Sequence, residues 1–158
     1  MNRSHRFRIS HLLYVLGFVF LIASEGAGQT IRWRSNPTIA FLINQGIVVG
    51  NQAQLVTPPT NSASSFSYRA GNRIRKITVQ TSCTAPICTL KVVGTVTRGA
   101  AQAQAEVTLN SAVATDFIRD IPRNSTNGRC TLNYTASATF ANGTGTDSHT
   151  VTYTIVTQ

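Results

Sequence analysis

The sequence predicts an all-β protein, two antiparallel sheets packed face to face behind a signal-peptide helix. Three observations carry this: alternation of apolar with small polar residues along most of the chain, turn-forming clusters between the alternating runs, and a short apolar run behind three arginines at the N-terminus. No window of a dozen residues holds a 3.6-residue apolar stripe.

The opening MNRSHRFRISH carries Arg3, Arg6 and Arg8, LLYVLGFVFLIA runs from Leu12 to Ala23, and SEGAGQ follows with small and polar residues. That is the three-part layout of a secretory signal. As a helix the apolar run reaches roughly 18 Å against a hydrocarbon core of about 30 Å, too short to span. The expectation is a signal peptide over residues 1–28, cleaved between Gly26 and Gln29, and a single β-sandwich domain over residues 29–158, long enough to bury one sizeable core. No cysteine follows the apolar run to accept a lipid, and no second stretch approaches about 18 apolar residues. No membrane span is therefore expected after cleavage. The protein is expected to be secreted, periplasmic or at the cell surface.

The alternating runs are, in order, TIRWRS (30–35), TIAFLIN (38–44), SSFSYRA (64–70), RIRKITVQT (73–81), CTLKVVGTVTR (88–98), AQAEVTLN (103–110), CTLNYTASATF (130–140) and HTVTYTIVT (149–157), with GIVVG (46–50) as a short edge piece. Clusters such as TPPTNSAS, RGA and RNSTNGR separate them. In CTLNYTASATF, Cys130, Leu132, Tyr134, Ala136, Ala138 and Phe140 share one face, and the intervening threonines, Asn133 and Ser137 share the other. Val151, Tyr153 and Ile155 repeat the pattern, and ANGTGTDS reads as the hairpin loop joining these two strands. The stretch SAVATDFIRDIPRNSTNG is irregular. It predicts one helical turn over Asp116 to Asp120, stopped by Pro122, which cannot donate to a continuing helix.

Cys83 and Cys88 flank a four-residue link that contains Pro86. A hairpin there sets them opposite each other, and the expected disulfide is Cys83 with Cys88. Chain entropy favours the longer Cys88 to Cys130 bridge, about 4 kcal/mol against about 2, so that pairing stays open. With the short bridge formed, Cys130 is a buried thiol. Four-coordinate zinc needs more ligands than these sulfurs and His149 supply, and CxxxxC is not a CxxC redox motif; no metal and no cofactor are expected.

Beyond the leader the acids and imidazole are Glu106, Asp116, Asp120, Asp147 and His149. Asp147 and His149 share a strand face, but no nucleophile or oxyanion set accompanies them. They read as the solvated start of a strand beside a loop, and the chain as no enzyme, with acid–base catalysis through this pair as a third reading. ANGTGTD lacks the lysine and helix of a phosphate loop.

The net charge of the whole chain is +9; removing residues 1–28 takes away three arginines and Glu25 and leaves +7. The densest basic cluster is YRAGNRIRK, with Arg69, Arg73, Arg75 and Lys76, where an acidic polysaccharide or other polyanion would be attracted, less so as salt rises. Alternation sets Arg73 and Arg75 opposite Lys76, so the plainer reading is charge that solubilises the surface and guards sheet edges. Aromatic residues do not interleave with the basic ones, and no specific nucleic acid is expected. Trp33, between Arg32 and Arg34, is expected to close the core, with a sugar platform as the alternative reading.

From Ala103 onward, AEVTL, ATDFI, CTLNYTASATF and HTVTYTIV resemble the C-terminal half of small exported bacterial β-proteins that carry no assigned activity. This likeness implies a bacterial cell-envelope setting and a sandwich. The signal peptide, the alternating TIRWRS, the cysteines and a C-terminal strand with a tyrosine near its end also resemble pilus and spore-coat-type subunits, which implies an immunoglobulin-like or pilin-like sandwich. The cysteine positions depart from the usual fimbrial pattern. Together these readings lead to an exported structural or surface-assembly protein without catalytic activity, self-associating through edge strands. The alternative is an extracellular binding module for an acidic glycan or other polyanion.

Overall fold

The computed structural model describes residues 11–15, 28–35, 39–43, 46–49, 52–56, 64–83, 86–109, 113–139 and 145–158. Among them there is no helix, and thirteen strands form two sheets: β1 (His11–Val15), β2 (Thr30–Ser35), β3 (Ile39–Ile43), β4 (Gly46–Val49), β5 (Gln52–Val56), β6 (Ser64–Arg69), β7 (Arg75–Ser82), β8 (Thr89–Arg98), β9 (Gln102–Ala103), β10 (Val107–Leu109), β11 (Thr115–Ile121), β12 (Gly128–Thr139) and β13 (Ser148–Thr157).

The first sheet has the order β3-β1-β13-β7-β11-β9. In the second, β10-β8-β12 is the trunk, and the long β12 divides its far edge between two partners: Gly128 to Leu132 pair with β6, and Ser137 to Thr139 pair with β5. β2 then pairs with β6, and β4 with β5. Every pairing is antiparallel except β1 with β13.

Alternation explains the inner faces. β6 and β7 bury every second residue, as do β12 and β13, so that Phe66, Tyr68, Leu90, Val92 and Leu132 of one sheet meet Ile77, Val79, Phe117, Val151 and Tyr153 of the other. Full burial of each such side chain contributes about 1.5–3 kcal/mol. Tyr153 is the meeting point, with ring centroids 5.7 Å from Trp33, 5.3 Å from Phe66 and 5.3 Å from Phe117. Its hydroxyl lies 2.8 Å from that of Tyr134 across the sheets. Trp33 thus closes the core as expected.

Several expectations need correcting. Of the stretch expected to form a signal helix, residues 11–15 are strand β1, which fills a sheet position between β13 and β3; a segment rich in Leu, Tyr and Val suits a pleated surface. Residues 1–10 and 16–27 lie outside the described residues. The turn expected over Asp116 to Asp120 is part of strand β11. Phe117, Ile118 and Ile121 have helical spacing, but two register shifts against β7 produce it, and Asp120 adopts a positive φ of 55°. AQAEVTLN divides into β9 and β10, which belong to different sheets, and β5 (QAQLV) was not foreseen. Neither expected hairpin forms: β7 and β8 lie in different sheets, and so do β12 and β13. Both connections are crossovers between the layers; residues 84–85 and 140–144 lie outside the described ones.

Candidate functional site

The outer face of the second sheet gathers arginines that are distant in sequence. In β2, Ile31 and Trp33 point inward, which leaves Arg32 and Arg34 exposed. In β6, Phe66 and Tyr68 point inward, which leaves Ser67 and Arg69 outward. The register then lines up Arg32 with Ser67 and Ser67 with Arg129, one row across β2, β6 and β12, and a register shift in the β12–β8 pairing sets Arg98 against Arg129. Directly opposed residues of antiparallel strands share a face, and at about 4.8 Å per strand the row from Arg32 to Arg129 is about 10 Å long. Arg69 lies one alternate position along β6 from Ser67, and Arg34 one alternate position along β2 from Arg32, at a register shift.

A cleft of about 480 Å³ opens beside this row, lined by Thr30, Arg32, Trp33, Arg34, Ser67, Tyr68, Arg69, Thr126 and Asn127. The Asn127 amide, turned so that both its ends are satisfied, accepts from the two terminal nitrogens of Arg98 at 3.1 and 3.3 Å. Arg129 keeps its Nε buried without a hydrogen-bond partner among the described residues. Acids are engaged elsewhere: Glu106 with Lys91 at 2.6 Å, Asp116 with Lys76 at 2.8 Å and with Arg119, Asp120 with Gln158 at 2.8 Å. Among the described residues no carboxylate pairs with Arg32, Arg34, Arg69, Arg98 or Arg129. Guanidinium groups in such a row present forked donors to carboxylate, sulfate or phosphate.

The four basic residues singled out in the sequence do not converge. Arg69 stands in the cleft. Arg73 lines a separate hollow of about 570 Å³ with Ile74, Arg123 and Gln158. Arg75 is buried, its Nη1 donating to Thr157 Oγ1 at 2.6 Å, and Lys76 is paired with Asp116. The arginines that sequence reasoning missed, Arg32, Arg34, Arg98 and Arg129, come from strands whose adjacency is set by sheet order. The one local signal was the i, i+2 pair in TIRWRS.

At the opposite boundary of the layers, Asp147 and His149 are not the solvated start of a strand: both are buried, His149 completely. Alternation along β13 turns His149 inward with Val151 and Tyr153, and the crossover from β7 to β8 covers Asp147. Asp147 Oδ2 accepts the backbone N–H groups of Ile87 and Cys88, each at 2.7 Å. His149 Nδ1 lies 3.2 Å from Thr81 Oγ1, and its Nε2 lies 3.9 Å from Asp147 Oδ2, beyond hydrogen-bond range. Burial holds the His149 pKa below its ordinary value, against the opposing pull of Asp147, so the ring is neutral at neutral pH.

Cys83, half-buried, and Cys88, buried, flank this pair as free thiols; Cys130 is a third, with its Sγ donating to Thr131 O at 3.3 Å. Burial and then Asp147 push Cys88 up to about 11, burial lifts Cys130 to about 12, and Cys83 is raised for the same reasons as Cys88. Among the described residues no group of three or more His, Cys, Asp or Glu is arranged to hold a metal ion.

Fold and surface together define a class, a two-sheet all-β protein with an arginine-lined cleft at one end of a sheet. Comparison with protein-family models, with curated proteins and with solved structures finds no significant match to this chain.

Proposed function

We propose that this chain is an exported, non-catalytic β-sandwich that captures an acidic polysaccharide across the row of Arg32 and Arg129, with Arg98 beside it and Arg34 and Arg69 at its flanks. The observation that carries this reading is five arginines on four neighbouring strands with no carboxylate among their described partners. Uncompensated positive charge beside a low-dielectric core concentrates anions. Ser67 and Thr126, between the arginines, offer hydroxyls to sugar hydroxyls. Nucleic acid fits less well: of the two aromatics that line the cleft, Tyr68 is buried and Trp33 is half-buried and held edge-to-face against Phe66 and Tyr153, and the exposed large apolar residues, Ile74, Val93 and Val113, are all aliphatic.

Export is supported by the arginines and the 12-residue apolar run of the N-terminus. An immunoglobulin-like or pilin-like arrangement belongs to the same reading, supported by the β7 to β8 and β12 to β13 crossovers between the sheets. Assembly by donation of the N-terminal strand is less well supported: β2 pairs within its own chain, and its free edge carries two arginines and a register shift, features that discourage strand addition.

The test is calorimetric titration with polygalacturonate and dextran sulfate, with neutral dextran as control. Binding should weaken steeply between about 50 and 200 mM salt. Arg32→Ala and Arg129→Ala should each weaken it about fivefold to tenfold, the loss of one charged contact of about 1–1.4 kcal/mol. Arg73→Ala, in the separate hollow, should change nothing. Binding indifferent to salt and to Arg129→Ala refutes the proposal.

A further inference from the structure

The loop that enters β12 carries a reactive pair, Asn127 followed by Gly128, which the polyanion reading uses only as part of the cleft wall. Asn127 is exposed, and Gly128, the first residue of β12, is buried. Packing requires the glycine: a Cβ on it would stand 2.1 Å from Tyr68 Cε2 and 2.2 Å from Tyr68 Cζ, and Tyr68 is itself buried. The same missing Cβ leaves the Gly128 nitrogen unscreened toward the side chain of the residue before it. That nitrogen and the Asn127 amide carbon are close along the chain, and a bond between them closes a small, unstrained ring. In the orientation that satisfies both ends of the amide, the Asn127 oxygen accepts from Arg98 Nη1 at 3.1 Å and from Nη2 at 3.3 Å. A guanidinium on a carbonyl oxygen draws electrons from the amide carbon and stabilises the oxyanion that forms when a nucleophile adds. Nucleophile, electrophile and oxyanion donor therefore meet at one exposed loop.

We propose that Asn127 is a self-modification site: it deamidates in the folded protein with the help of Arg98, and the carboxylate produced cancels a charge in the arginine cleft. The Gly128 nitrogen bonds to Asn127 Cγ, the Cγ–Nδ2 bond breaks, and Nδ2 departs as ammonia, with solvent water carrying to it the proton that the Gly128 nitrogen lost. Water then opens the cyclic imide. Attack at Cγ restores the main chain and leaves an aspartyl side chain; attack at the Asn127 carbonyl carbon routes the main chain through Cγ and leaves an isoaspartyl residue. Either way the C–N bond that breaks returns a proton to nitrogen. The acid formed gives its own proton to the ammonia, so the sum consumes one water and releases one ammonium ion, with no oxidant or reductant. The aspartyl product sets a carboxylate where the amide oxygen met the forked donors of Arg98, an ion pair in place of an amide hydrogen bond. The effect on the cleft rests on the polyanion reading; the modification itself does not.

The experiment holds the full chain folded in mildly alkaline buffer, with the same protein unfolded in guanidinium chloride as reference, and follows residue 127 by tryptic mapping. Trypsin cuts after Arg123 and Arg129, so NSTNGR separates this site from the second Asn–Gly step, Asn142 with Gly143, and fragmentation places the change within the peptide. Aspartyl and isoaspartyl forms should accumulate faster from the folded than from the unfolded protein. Arg98→Ala should slow the folded reaction on the order of tenfold, less than the roughly hundredfold of a water-excluded oxyanion site, and leave the unfolded rate unchanged. Arg98 and Asn127 are both exposed, so substitutions there spare the core. A folded rate equal to or below the unfolded one, or an Arg98→Ala rate equal to that of the parent, overturns the proposal. For the effect on the cleft, Asn127→Asp should bind dextran sulfate about fivefold to tenfold more weakly than the parent, whereas Asn127→Gln, which stays neutral, should bind as the parent does. Equal binding by Asn127→Asp and a parent that does bind overturns the link between modification and cleft. A parent that does not bind dextran sulfate at all sinks the polyanion reading and that link together, and the mapping alone then decides the modification.

Discussion

Gly94 offers a direct test of how the two sheets meet. It occupies the inward row of β8 with Leu90 and Val92, opposite Leu132 of β12. A Cβ added there would stand 2.5 Å from Phe117 Cζ, 3.0 Å from Phe117 Cε1 and 3.2 Å from Cys130 Sγ. Carbon atoms rest at roughly 3.5–4.0 Å, so the methyl overlaps the ring by about 1 Å. Phe117 and Cys130 are both completely buried, and neither can yield toward solvent. Overpacking of this kind costs about 1–3 kcal/mol, and a methyl caught between two buried groups belongs near the upper end. Exchanging a strand glycine for alanine returns about 0.5–1 kcal/mol of chain entropy, which leaves a net loss for Gly94→Ala of about 2 kcal/mol. The thermal midpoint should fall by roughly 4–8 °C. The assay is urea unfolding followed by tryptophan fluorescence, on Gly94→Ala, Phe117→Leu and the double variant. Phe117→Leu removes the atoms that collide, so the double variant should be at least about 1 kcal/mol more stable than the sum of the single losses. A Gly94→Ala protein within about 0.5 kcal/mol of the parent, or strict additivity, would show that β11 and β8 do not face each other.

Two further outcomes follow from the buried cluster. Asp147→Ala takes the acceptor from two backbone N–H groups at the crossover, and at about 1.5 kcal/mol or more for each charged hydrogen bond should cost about 3 kcal/mol in urea unfolding, with Asp147→Asn costing less than half of that. Because burial lowers the folded pKa of His149 below 6.5, the unfolded chain binds the proton more readily; the stabilisation is complete above 6.5 and is lost as pH falls from there toward the folded value. His149→Gln should flatten that part of the stability profile measured by denaturant titration, and an unchanged slope would place the titration elsewhere.

Legibility in the sequence differed from element to element for one reason. Side chains of a strand alternate whatever the strand pairs with, so β2, β6, β12 and β13, with the inward placement of Trp33, Cys130 and Tyr153, could be read from TIRWRS, SSFSYRA, CTLNYTASATF and HTVTYTIVT alone. β11 could not, because its two register shifts give Phe117, Ile118 and Ile121 the spacing of a helix, and a shift exists only relative to a partner. The expected hairpins failed in the same way: a short loop rich in glycine, or one holding a proline, is compatible with a turn within one sheet and with a step between two, and the choice follows from which strands bury their apolar faces together.

The sequence by itself determined that the chain is all-β, which side of most strands is apolar, and that positive charge is in excess. Only the tertiary structure decided that Arg32 and Arg129 fall in one register row with Arg98 beside them, that Arg73, Arg75 and Lys76 disperse, and that Asp147 is buried against the backbone N–H groups of Ile87 and Cys88. Periodicity is a property of neighbours along the chain, whereas convergence depends on pairings between strands tens of residues apart, and those are selected by the packing of the whole core.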